Sequence, residues 1–176
     1  QFGRCLVHFA VDTDEVFMAT KLSGKSTYFL PFNKGDGHGK GNPINPTGHK
    51  TAYLWEEVLT RHSLTNIIEH FAKLVEEEDP ETGQKKKTLF FPRYHQLDVV
   101  RQVLADVRAN GVGQRYLIQH SAGSGKSNSI TWLGYQLIET YDAAGEQNLF
   151  DSVIVVTDRR VLDKQLKDNI RAFSEV

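Results

Sequence analysis

Tyr116-Leu117-Ile118-Gln119-His120-Ser121-Ala122-Gly123-Ser124-Gly125-Lys126-Ser127, followed by a helix-compatible stretch through Thr140, decides the fold. An apolar run, a glycine-rich loop and a helix, in that order, are what a phosphate-binding loop requires. Gly123 and Gly125 let the backbone turn tightly and approach a polyphosphate closely. The amides from Ser124 to Ser127 can then point at its oxygens, at the positive end of the following helix. Lys126 is placed to reach β and γ phosphates, and Ser127 stands where a hydroxyl ligand to Mg²⁺ belongs. The strict pattern has glycine at the position of His120.

Upstream, Phe91-Pro92-Arg93-Tyr94-His95-Gln96 opens a helix whose Leu97, Val100, Val103, Leu104 and Val107 hold helical spacing up to Asn110-Gly111, a C-cap signal. In the helix after the loop, Ile130, Leu133 and Leu137 are expected to face inward. Downstream, the polar stretch Tyr141 to Asn148 crosses to Val153-Ile154-Val155-Val156, apolar without alternation as a parallel strand buried on both faces should be. Thr157 and Asp158 can cap a last helix with Leu162, Leu166, Ile170 and Phe173 inward. Arg159, Arg160 and Lys164 crowd its start, where ligands of a parallel sheet gather, so Arg159 or Arg160 is expected to contact phosphate. The order βαβα predicts an α/β fold with a parallel sheet covered by helices.

The amino-terminal part reads differently. Arg4 to Val11 is a strand with Val7, Phe9 and Val11 on one face, Asp12 to Glu15 a turn, Val16 to Thr20 a second strand, and Ser26 to Phe32 a third, giving an antiparallel meander. Asp12, Asp14 and Glu15 cluster in one tight turn and lack the Glu-x-Lys spacing that a nuclease metal centre needs, so they read as a solvated turn. Gly35 to Gly48 is a long loop in which His38 and His49 have no partners at ligand spacing, and no role is assigned to it. Tyr53 to Thr60 predicts a helix, and Ser63 caps a second whose Leu64, Ile67, Ile68, Phe71, Leu74 and Val75 form one apolar stripe. Glu76 to Lys87, with Asp79-Pro80 and Lys85-Lys86-Lys87, is the expected linker, and its lysines read as solvated.

Composition is that of a soluble globular chain: 176 residues, 39% hydrophobic and 24% charged. The net charge is -1, with 11 Lys/Arg and 12 Asp/Glu in the first 88 residues and 10 of each in the rest. Bulk charge therefore gives no footprint for nucleic acid, and any such contact must come from a local patch. Cys5 is the single cysteine, which excludes an internal disulfide and makes a reducing cytoplasm the default. No stretch approaches the roughly 18 apolar residues of a membrane span. A strand begins almost at Gln1 without a preceding methionine, as in a piece of something longer.

Three blocks in order, Phe91 to Gln96, His120 to Ser127 and Val153 to Leu162, resemble the opening of a superfamily 2 helicase motor. The loop with His120 is similar to the relaxed form kept by helicase-like ATPases. Val7-His8-Phe9-Ala10-Val11-Asp12, Phe29-Leu30-Pro31-Phe32-Asn33, Tyr53-Leu54-Trp55-Glu56-Glu57-Val58-Leu59 and Arg93-Tyr94-His95-Gln96 resemble, more closely, the R subunit of type I restriction enzymes. That subunit couples a nuclease domain of the PD-(D/E)xK kind to two RecA-like motor lobes and works on double-stranded DNA with modification (methyltransferase) and specificity subunits.

The resemblance implies the antiparallel end of the nuclease domain with the Gly-rich loop over 1–50, a helical connector and linker over 51–88, and an incomplete first RecA-like lobe over 89–176. It implies ATP and Mg²⁺ as cofactors, held by Gly123, Ser124, Gly125, Lys126 and Ser127, with Arg93 and Gln96 recognising adenine. Thr157, Asp158 and Arg159 fall on the motif that leans on the DNA backbone, with Arg160 beside it. The nuclease carboxylates and the DEAH-like acidic box have no counterpart within residues 1 to 176. A small-molecule P-loop kinase would have no use for Arg93-Tyr94-His95-Gln96, whereas a nucleotide-gated scaffold without turnover would differ only in that acidic box.

Overall fold

The computed structural model describes residues 5–37, 39–78, 83, 85–142, 144–158, 166–167 and 170–171. The chain divides into two compact units, Gln1–His95 and Gln96–Val176.

In the first unit, β1 (His8–Val11), β2 (Val16–Ala19) and β3 (Leu30–Pro31) form an antiparallel sheet in that order, in the register His8 opposite Ala19 and Phe17 opposite Pro31. The reversal between β1 and β2 is built by Asp12, whose Oδ1 accepts the amides of Asp14 and Glu15 at 2.8 Å each. Those bonds, with the Glu15 amide foremost, hold the Asp12 carboxyl below the usual carboxylate range. Its lone pairs are spent on backbone donors, as in an Asx-turn. The strand expected over Ser26 to Phe32 shrinks to two residues behind a 3₁₀ turn at Gly24–Ser26. Phe32 is wholly buried, with edge-on contacts to Phe9 (5.1 Å) and Tyr94 (5.9 Å), and Tyr94 in turn meets Tyr53 at 5.2 Å.

The long loop is held at its base by two asparagines. Asn42 Nδ2 donates to Asp14 O and to Asn33 Oδ1, both at 2.9 Å, while its Oδ1 accepts the Lys34 amide at 2.8 Å. Asn33 Oδ1 also accepts the Val16 amide at 2.7 Å. One buried amide thus closes the loop onto the sheet and satisfies its otherwise orphaned backbone groups. Asn42→Ala is expected to destabilise the chain by about 2 kcal/mol, the cost of leaving buried partners unmatched. Chemical denaturation would check it.

Beyond the loop, the helix expected over Tyr53 to Thr60 is a π-helical turn, Leu54–Val58, closed by Leu59 N donating to Leu54 O at 2.8 Å. α1 spans Arg61–His70 and is capped by Thr60, whose hydroxyl accepts the Ser63 amide at 3.4 Å, whereas Ser63 itself lies buried inside the helix. The expected apolar stripe ends at Phe71. Leu74 and Val75 pass into a strand, because past Phe71 exposure alternates with period two, Leu74 out and Val75 in. That strand, β4 (Lys73–Glu78), pairs with β5 (Lys85–Phe90) in an antiparallel hairpin where a linker was expected. The register sets Glu76, Glu77 and Glu78 opposite Lys87, Lys86 and Lys85. Lys87 lies 3.1 Å from Glu76.

In the second unit, α2 (Tyr94–Asn110), which begins with the last two residues of the first unit, buries Gln96, Leu97, Val100, Val103, Leu104 and Val107 along one stripe, as its spacing predicts. It ends at Gly111, whose left-handed φ of 74° suits a residue without Cβ. α3 (Lys126–Ile138) is rotated from the expected face. Trp132, 1% exposed, and its neighbours Ser129, Thr131 and Gln136 are buried, while Ile130 is exposed and Leu133 and Leu137 are only half-buried. The largest apolar side chain fixes the helix roll, because its burial removes the most surface from water. Gly134 lies within α3, and a Cβ there would meet Val153 Cγ1 at 3.8 Å, an ordinary contact. Gly134→Ala is therefore expected to stabilise the chain by about 0.5–1 kcal/mol, read as a rise in Tm.

The runs Tyr116–Ile118 and Val153–Val156 lie in no helix and join no ladder among the described residues, so no parallel sheet is formed there. Leu117 is 94% exposed, Ile154 85% and Val156 86%. A parallel strand acquires its pairing and burial from neighbours on both edges, and these runs have none in the described structure. The last expected helix is described only at 166–167 and 170–171, where Leu166 is buried and Ile170 O accepts the Tyr135 hydroxyl at 2.7 Å. Leu162, Lys164 and Phe173 lie outside the described residues, as does His38 in the long loop.

Candidate functional site

The loop after Ile118 is shaped by two glycines. Gly123 has φ 72° and Gly125 φ 82°, both in the left-handed region that side chains disfavour. Between them the Ser124 amide donates to Ser121 O at 3.3 Å, closing the turn. Gly125 is the N-cap of α3, and its carbonyl accepts the Asn128 and Ser129 amides at 3.0 and 3.4 Å, which starts the helix. The amides of Lys126 and Ser127 open that helix, where no carbonyl one turn back is available to them. The first turn of α3 carries no acidic side chain. Two leading amides and a helix dipole meet at a first turn that carries a lysine and no carboxylate, an arrangement that favours an anion.

The loop is braced from behind by α2. The buried Gln96 donates from Nε2 to Gly125 O at 2.9 Å and to Ser124 O at 3.3 Å. Its amide therefore grips the backbone of the glycine loop, a positioning role distinct from adenine recognition. A Cβ on Gly125 would run into that same Nε2, so any larger residue there must displace the end of the glutamine, in addition to the strain at its left-handed φ.

Lys126 is exposed, and its Nζ donates to Ser121 O at 2.8 Å and His120 O at 3.2 Å. The ammonium thus rests against loop carbonyls, within a side-chain rotation of the amides of its own loop. His120 is half-buried, and burial first, then the charge of Lys126, holds its imidazole below the ordinary histidine value. His120 and Lys126 line a cleft of about 260 Å³ together with Tyr116, Ile118, Ser129 and Val100. The Tyr116 hydroxyl donates to Asp106 Oδ2 at 2.6 Å, which pushes its pKa up to about 12 and ties the run before the loop to α2. Ser129 Oγ is buried without a hydrogen-bond partner among the described residues. No periodicity signal singled out Ser129, because a serine one helical turn past a phosphate loop looks like any other polar helix residue.

The remaining expected site residues are more scattered. Ser127 is half-buried at the second position of α3, and its carbonyl accepts the Thr131 hydroxyl at 2.9 Å. Amides, an ammonium and a hydroxyl on consecutive residues are a donor set that fits a polyphosphate with Mg²⁺. Arg93 stands half-buried just ahead of α2, in the first unit. Thr157 is half-buried and Asp158 exposed just after the run Val153–Val156, while Arg159 and Arg160 lie outside the described residues. Among the described residues, no group of three His, Cys, Asp or Glu could hold a metal ion, and no helix is long and apolar enough to cross a membrane.

None of the curated proteins and none of the solved structures compared matches the chain. Residues 95–176, just under half of the chain, match the family model described as SWI2/SNF2 ATPase, a match that takes in α2, the glycine loop and α3 and supports a superfamily 2 helicase-like ATPase in this part of the protein.

Proposed function

We propose that the chain supplies the ATP site and part of the DNA-contacting motor lobe of the R subunit of a type I restriction-modification enzyme. In that role ATP hydrolysis drives translocation along double-stranded DNA, the assembly with modification and specificity subunits cuts it, and the complex works in the cytoplasm. The observation that carries the nucleotide site is the left-handed pair Gly123 and Gly125 at the start of α3, with Lys126 as its first residue. Gly123, Ser124, Gly125 and Lys126 cradle the phosphates, Ser127 gives its hydroxyl to Mg²⁺, and the resemblance assigns Arg93 and Gln96 to adenine recognition. The wording of the blocks from Val7 to Gln96 supports the restriction subunit in particular, with the end of the nuclease domain over 1–50 and a connector over 51–88. In this role the runs Tyr116–Ile118 and Val153–Val156, whose apolar side chains are mostly exposed, pair with further strands into a RecA-like parallel sheet. A second function, a helicase-like DNA translocase without a nuclease, is favoured by the family match being confined to residues 95–176.

Thr157, Arg159 and Arg160 contact the DNA backbone in this proposal. Replacing Arg159 and Arg160 together with Ala is expected to weaken DNA-stimulated ATP hydrolysis and to flatten its salt dependence by about 0.9 in logarithmic slope per lost duplex contact. An unchanged slope would remove these arginines from the DNA interface. Plasmid cleavage by the assembled complex separates the two functions, since only the restriction enzyme cuts.

A further inference from the structure

We infer that His120 takes up a proton when a nucleoside triphosphate occupies the loop, so that nucleotide affinity rises as the pH falls through the titration range of the imidazole. This rests on the phosphate-loop assignment proposed above, and it gives a use to the residue that replaces the first glycine of the strict pattern.

Geometry places His120 where loop charge is felt. It shares one cleft wall with Lys126, whose Nζ donates to the His120 carbonyl at 3.2 Å and to Ser121 O at 2.8 Å. Among the described residues, the cleft that His120 lines is completed from α3 by Lys126, Ser129, Ile130 and Leu133, from the run before the loop by Ile118 and by Tyr116, whose hydroxyl is committed to Asp106, and from α2 by Val99 and Val100. Among these lining residues the single full charge is the ammonium of Lys126, and it opposes protonation of the imidazole. Burial opposes it too, and both hold the nucleotide-free imidazole below its ordinary value.

A triphosphate reverses that field. Its oxygens settle on the open amides of Lys126 and Ser127 and draw the Lys126 ammonium away from the two carbonyls. The cation beside His120 is thereby neutralised, and a net negative charge arrives a few residues away in a partly desolvated setting. The imidazolium is then favoured and the bound-state pKa exceeds the free-state one. For a group whose pKa rises on binding, uptake is greatest between the two values and vanishes above the higher, and the affinity gains at most tenfold per pH unit.

The test is calorimetric titration of the full chain with the Mg²⁺ complex of a non-hydrolysable ATP analogue, in two buffers of different ionisation enthalpy, from about pH 6 to about pH 8. The expected result is uptake of up to one proton near the acid end, falling towards none at the alkaline end, with affinity several-fold higher at the acid end. In His120→Gln and His120→Asn the difference disappears, leaving only the proton traffic of the ligand itself. Binding with a buffer-independent enthalpy, or uptake that persists unchanged in both variants, overturns the inference while leaving the phosphate loop intact. A folded chain that binds no analogue at any pH overturns the phosphate loop and, with it, this inference.

Discussion

Lys126→Ala is expected to lower Mg-ATP affinity and turnover by at least about 10²-fold while leaving the fold in place. The ammonium would make charge-assisted hydrogen bonds to two phosphates, each worth about 1.5–3 kcal/mol, and the loop from Gln119 to Ser127 holds no other lysine and no arginine. What the side chain does without nucleotide is modest. It is exposed, and its two bonds to the His120 and Ser121 carbonyls can be replaced by water. The change in stability should therefore stay within about 0.5–1 kcal/mol. Phosphate release measured beside a thermal melt separates the two effects, and a variant that still hydrolyses ATP at the wild-type rate would end the phosphate-loop assignment.

Gly125→Ala should be more damaging than Gly123→Ala. At φ 82° an alanine costs about 1–2 kcal/mol in backbone strain. Its Cβ would also run into Gln96 Nε2, so the glutamine must move and surrender its bonds to Ser124 O and Gly125 O. Leaving a buried amide without those acceptors costs about 1–3 kcal/mol more. Gly123→Ala shares the strain, at φ 72°, but its Cβ meets nothing within 4 Å. The first variant should lose about 2–5 kcal/mol in denaturant titrations and the second about 1–2. Adding Gln96→Ala to Gly125→Ala should relieve the steric part, giving a coupling of about 0.5–3 kcal/mol. Equal losses at 123 and 125, with no coupling to Gln96, would mean that α2 does not brace the loop.

How much of this was legible in the sequence depended on whether the deciding force was local. The stripe of α2 and its stop at Gly111 came straight from period and capping, since both act within one or two turns. The glycines of the loop were equally plain. The roll of α3 was not, because Ile130, Leu133 and Leu137 make as good a stripe on paper as the face that Trp132 buries. Only the neighbours of a helix decide between two such faces. The segment read as a linker became a hairpin through long-range pairing. Charged runs of opposite sign, each solvated when considered alone, become complementary when Glu76 to Glu78 meet Lys85 to Lys87 in register. In the loop from Gly35 to Gly48, Asn42 is an ordinary turn residue by composition and a buried clasp in the fold. Gln96 was singled out for adenine, and its grip on Ser124 and Gly125 could not be seen without knowing how close α2 runs to the loop.

The same geometry links the fold to its chemistry. α2 supplies the brace, two left-handed glycines supply the turn, and α3 supplies amides and a lysine at its positive end. In the proposed function the backbone here is held open for an anion, and a side chain that braces it, such as Gln96, matters as much as Lys126.

The most direct measurement is amide NMR of the full chain during a titration with Mg-ATP. The site described above predicts that the amide signals of Gly123, Gly125, Lys126 and Ser127 move first and furthest, as hydrogen bonds form to phosphate oxygens, with one common saturation point. Saturable binding that leaves those four signals in place would contradict it.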